Sequence, residues 1–134
     1  MRTRVLTLCV GVLIGLLLIG RSVGHATQVT PTGTIQVAAG SDLRLGGVVS
    51  FDTTTTGLHH EQPRVQALCY QQGLLVYGEA GPADAFFLLG GSSSIWLNDS
   101  HGPADCLATL YFWSYKGSQQ FNPLATVAFA AAGA

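Results

Sequence analysis

Two cysteines constrain this chain more than any other feature. Cys69 and Cys106 each sit inside a strand-like run, PRVQALCYQQGLLVYG around the first and PADCLATLYFWSY around the second. A bond between them would bring both runs together, and the remaining short apolar segments would pack around that clasp. The third cysteine, Cys9, belongs to a different kind of segment.

Arg2 and Arg4 open the chain, and Val5 to Gly20 is an uncharged, largely apolar run of 16 residues. Val23-Gly24-His25-Ala26 then supplies small residues at a cleavage point, the layout of a secretory signal peptide. The run is short of the roughly 20 residues needed to span hydrocarbon. The expectation is therefore export with removal of residues 1–26, a secreted protein, and no stable membrane insertion after cleavage. Cys9 leaves with that segment; Leu8 before it and its mid-run position do not suit lipid attachment. An even pair in an exported domain reads as one disulfide, Cys69–Cys106.

Residues 27–134 carry three cations, Arg44, Arg64 and Lys116, against seven acids, for a formal charge of −4 with histidine neutral. Phosphate backbones and anionic lipid surfaces are bound by clustered lysine and arginine, so neither is an expected partner.

Residues 27–33 (TQVTPTG) form a polar, flexible lead-in without periodicity. TIQVA (34–38) alternates, and VVSFDTTTT (48–56) is rich in β-branched residues with Val49 and Phe51 on one parity. GLHHEQP (57–63) is a loop. Arg64 to Gln71 is a strand, Gln72-Gly73 a tight turn, and LLVYG a further strand before a second loop, GEAGPAD. Two apolar patches, Ala85–Leu89 and Ser94–Leu97, flank GGSSS; Cys106 to Tyr115 is the longest strand pattern; KGSQQFNP links it to a closing LATVAFA. Short strands with polar turns and no capped helical stripe are the pattern of a β-sandwich.

The VVSF second-strand pattern, the CY…LVY hairpin and the DCLATLYF penultimate strand together resemble an immunoglobulin-like or fibronectin type III-like sandwich of secreted bacterial proteins. The expected fold is thus all-β, an immunoglobulin-like antiparallel β-sandwich of about seven strands with one disulfide, over residues 34–134. In antibody-type domains the bridge joins the second and penultimate strands across the two sheets. Here Cys69 falls on the third, which in that topology neighbours the penultimate strand, so the resemblance implies a cross-strand staple within one sheet. Ala104 stands where such domains place a tyrosine.

Strand parity separates two faces. Val65, Ala67 and Cys69, with Cys106, Ala108, Leu110 and Phe112, make a small apolar set suited to the interior. The other parity carries Tyr70, Tyr111, Trp113 and Tyr115, which would form an outward aromatic stripe on neighbouring strands. Exposed rings offer rigid contact area to a protein partner or a stacking surface to a sugar. These four residues are the candidate binding surface.

Other constellations carry less. His59-His60-Glu61 has metal-type atoms, but adjacent strand residues point opposite ways. Asp99-Ser100-His101 has triad residue types without the spatial convergence a triad needs, and the chain has no G-x-S-x-G elbow. The aspartates lack EF-hand spacing. Asn98-Asp99-Ser100 matches a glycosylation sequon. The expectation is a secreted, non-catalytic binding or surface-interaction module without cofactor or metal, contacting a protein or glycan partner. The alternative is a small-molecule carrier with an apolar cleft, as in the immunoglobulin-like chromoproteins, which resemble two-bridge proteins where this chain has one cysteine pair.

Overall fold

The computed structural model describes Gly24 and residues 27–91, 95–97 and 102–133. The expected export segment, the Asp99-Ser100-His101 group and the Asn98 sequon therefore lie outside the described residues. Among the described residues eight strands follow in order: β1 (Thr32–Val37), β2 (Val48–Val49), β3 (Phe51–Thr56), β4 (Arg64–Gln71), β5 (Leu74–Pro82), β6 (Phe87–Leu88), β7 (Ala104–Lys116) and β8 (Ser118–Ala131). One 3-10 turn, Ile95–Leu97, precedes β7. Among the described residues no helix is long and apolar enough to cross a membrane.

The largest sheet is antiparallel and runs β5-β4-β7-β8; β1 pairs with β3, and β2 with β6. Cys69 lies directly opposite Cys106 in the β4–β7 ladder, with Cα atoms 4.0 Å apart, and the two are disulfide-bonded. The bond is therefore a staple between neighbouring strands, as the resemblance implied.

One apolar cluster joins the sheets. Val65, Ala67 and Cys69 from β4 and Cys106, Ala108 and Leu110 from β7 bury the inner face of the large sheet. Val49 and Phe51 meet them from the smaller sheets, on the parity their sequence proposed, together with Phe87, Leu89 and Trp96. Trp96 is fully buried and its indole N–H donates to the Gly102 carbonyl at 2.8 Å, so its one polar atom is satisfied. Across β1 and β3 the exposed threonines pair, Thr32 with Thr56 at 2.6 Å and Thr34 with Thr54 at 2.5 Å. The end of β8 is tied back as well: Leu45 N–H donates to the Ala132 carbonyl, and Ala132 N–H to that of Leu43.

Several boundaries differ from the local reading. Thr32 and Gly33 belong to β1 rather than to the lead-in. Most of GEAGPAD is strand, because β4 offers partners to Gly78 through Pro82. In KGSQQFNP, Lys116 ends β7, Gly117 (φ 80°) turns the chain, and residues 118–123 begin β8, paired back on β7. Pro123 cannot donate a ladder hydrogen bond, and it is tolerated because β8 is an edge strand with a bulge beside it. Gln72-Gly73 is the tight turn expected, closing β4 onto β5 with Gln71 opposite Leu74.

Candidate functional site

The aromatic end of the large sheet arises from the hairpin of β7 and β8. Up to Leu110, β7 alternates as its sequence does, with Ala104, Cys106, Ala108 and Leu110 buried and Asp105 and Leu107 exposed. Between Leu110 and Tyr111 the pairing shifts: Leu110 faces Ala125, but Tyr111 faces Pro123, leaving Leu124 as an extra residue on β8. Such a bulge increases local twist and re-aims the side chains beyond it. On the turn side of the bulge the ladder runs unbroken from Gly117, which sets Phe121 opposite Trp113 and its ring against Tyr111.

Three rings lock together as a result. Tyr111 and Phe121 lie 4.5 Å apart between centroids. Trp113 meets Tyr111 edge-on at 5.7 Å and Phe121 at 5.6 Å. Arg64, directly opposite Tyr111 on β4, donates from Nε to the Tyr111 hydroxyl at 3.3 Å.

The expected four-ring stripe is corrected in two respects. Tyr111 has the outward parity, yet it is only 3 % exposed, because Trp113, Phe121 and Arg64 cover it. Tyr70 shares the face but stands at the other end of it, opposite Asp105 and Leu75. It lies six positions along β4 from Arg64, about 20 Å of extended chain. Trp113 is half-buried and Tyr115 is 75 % exposed, as an outward face requires. Phe121, 42 % exposed, was missed because its segment read as a link. The signal was present: Lys116-Gly117 between two β-rich runs is a hairpin turn, and pairing outward from it reaches Phe121.

No protein-family model matches the chain, and no curated protein or solved structure was found to match it.

The loop before β4 forms the other wall of the site. An open pocket of ≈ 300 Å³ is lined by His60, Glu61, Gln62, Arg64, Trp113 and Tyr115. Glu61 shapes this loop by accepting the backbone N–H groups of His59 at 2.9 Å and His60 at 3.1 Å on one carboxylate oxygen. Its own backbone N–H and then those two hold its pKa below the usual carboxylate value, so it is ionised at neutral pH. Gln62 and Arg64 also border a second hollow of ≈ 420 Å³, together with Thr53, Pro63, Pro82, Ala83 and Asp84. Among the described residues no group of three or more His, Cys, Asp or Glu side chains is placed to hold a metal ion.

The site thus combines two aromatic rings, Trp113 and Tyr115, with a carboxylate, a guanidinium and an amide. That set can stack on a flat ligand and exchange hydrogen bonds with its edge.

Proposed function

We propose that this protein is an exported, non-catalytic binding module of the immunoglobulin-like sandwich type, and that it grips its partner at the aromatic end of the β5-β4-β7-β8 sheet. The observation that carries the reading is the contrast within one patch. Tyr115 and Phe121 remain exposed, while Trp113 packs edge-on against both Tyr111 and Phe121. Rings fixed before contact lose little conformational freedom on binding, and rigid aromatics of this kind dominate binding energies.

The basic start and apolar run support export. The staple between β4 and β7 and the two hairpins at either side of it support the immunoglobulin-like assignment. Polar side chains at the pocket rim suit a polar partner better than the apolar ligand of a carrier, since covering Glu61 and Arg64 with hydrocarbon would take both charges out of water.

The test is co-sedimentation of the mature, oxidised protein with washed envelopes of the cells that make it. Wild type is expected in the pellet, and the Tyr115→Ala/Phe121→Ala variant in the supernatant. Both side chains are exposed, and because Phe121 also packs on Tyr111, circular dichroism checks that the fold is intact. Equal sedimentation of the two proteins would remove this end of the sheet as the binding surface.

A further inference from the structure

We infer that the partner is a carbohydrate chain, with one sugar ring seated between Trp113, Tyr115 and the His60–Arg64 segment; this rests on the binding reading above. The argument is one of chemical matching. A pyranose has an apolar C–H face and a perimeter of hydroxyls that donate and accept at once. The pocket lining supplies the complement of both: two rings (Trp113 and Tyr115), and an ionised acceptor (Glu61), a cationic donor (Arg64) and an amide that does either (Gln62).

Other ligand classes match less of it. A phosphate-bearing polymer would meet Glu61 in the pocket and a domain of formal charge −4 around it. An apolar ligand would desolvate two charges. The pocket, at ≈ 300 Å³, sits at the lower end of small-molecule sites, roughly 300–1,000 Å³. It shares Gln62 and Arg64 with the ≈ 420 Å³ hollow beside it. Two hollows with a common wall suit consecutive residues of a chain better than a lone monosaccharide, so affinity should grow with chain length.

The experiment repeats the envelope sedimentation after two treatments. Periodate, which cleaves vicinal diols, is expected to abolish binding; digestion of the envelopes with a broad protease is expected to leave it intact. The reverse pattern overturns the carbohydrate inference while leaving the binding surface standing. No sedimentation with untreated envelopes overturns both. Tryptophan emission supplies a second readout, because Trp96 is fully buried and Trp113 lines the pocket. Released envelope oligosaccharides should shift it saturably, and Gln62→Ala should weaken the response by about tenfold, the loss of one good contact. Tyr70→Phe, at the far end of the face, should leave it unchanged. Equal effects of the two substitutions would also refute the assignment.

Discussion

Replacing Cys69 and Cys106 together by alanine tests the staple and the argument behind it. The bond closes a loop of sequence separation 37, and that loop contains β5, β6 and the Trp96 turn. On the chain-entropy account, opening such a loop frees the unfolded chain by about 4 kcal/mol. The two sulfur atoms are also buried, so their removal leaves a small void costing roughly 1 kcal/mol more. Unfolding roughly 100 ordered residues carries an entropy of about 0.2 kcal/mol/K, so the midpoint should fall by about 20 °C. Thermal unfolding followed by circular dichroism reads this directly. Urea titration adds a second signature: the uncrosslinked chain exposes more surface when unfolded, so its m-value should rise as its midpoint falls. A double variant that melts within about 5 °C of the oxidised wild type would refute the reasoning. It would mean that the β4–β7 ladder holds the long loop closed without the bond.

Three further perturbations probe separate parts of the fold. Tyr77 is buried and donates its hydroxyl to Glu79 at 2.7 Å; burial first, then that bond and the carboxylate charge, push its pKa well above the ordinary value. Its neutral form is the one the fold holds, so this contribution is whole below about pH 10 and is lost as pH rises further. Tyrosinate absorbance should show one late-ionising group, absent in Tyr77→Phe; equal alkaline loss of stability in the two proteins would contradict it. Gly33→Ala would place a Cβ 2.8 Å from Leu110 Cδ2 and 2.9 Å from the Thr54 carbonyl, and should cost about 1–3 kcal/mol in urea unfolding. Gln72 and Gly73 have φ of 50° and 80°, a turn that favours asparagine at its first position. Gln72→Asn should therefore raise the melting midpoint through a gain of about 0.5–1 kcal/mol.

How the aromatic site came to be half legible follows from the same geometry. Trp113 and Tyr115 were placed outward because alternation along one strand is a local property, and β7 obeys it as far as Leu110. Tyr111 departs from it only in exposure. Part of its cover comes from Phe121, 10 residues away along the chain, brought near by the hairpin turn at Gly117. Tyr70 failed to join the group because parity assigns a face, and says nothing of position along it. The segment His60 to Pro63 was visible as a polar loop and Arg64 as the start of a strand; their approach to Trp113 was not.

The residue pattern alone determined the all-β class, the inward faces of Cys69 and Cys106, the burial of Val49 and Phe51, and the Gln72-Gly73 turn. Each depends on side-chain period or on the φ preference of a few neighbouring residues. Tertiary structure decided which strands became neighbours, where the edges fell, and therefore which segments were strands at all. Gly78 to Pro82 and Ser118 to Pro123 have little strand character of their own, and they are extended because a neighbouring ladder supplies their hydrogen bonds. Pairing is a contest among segments far apart in the chain, and a local pattern holds no record of which partner prevails.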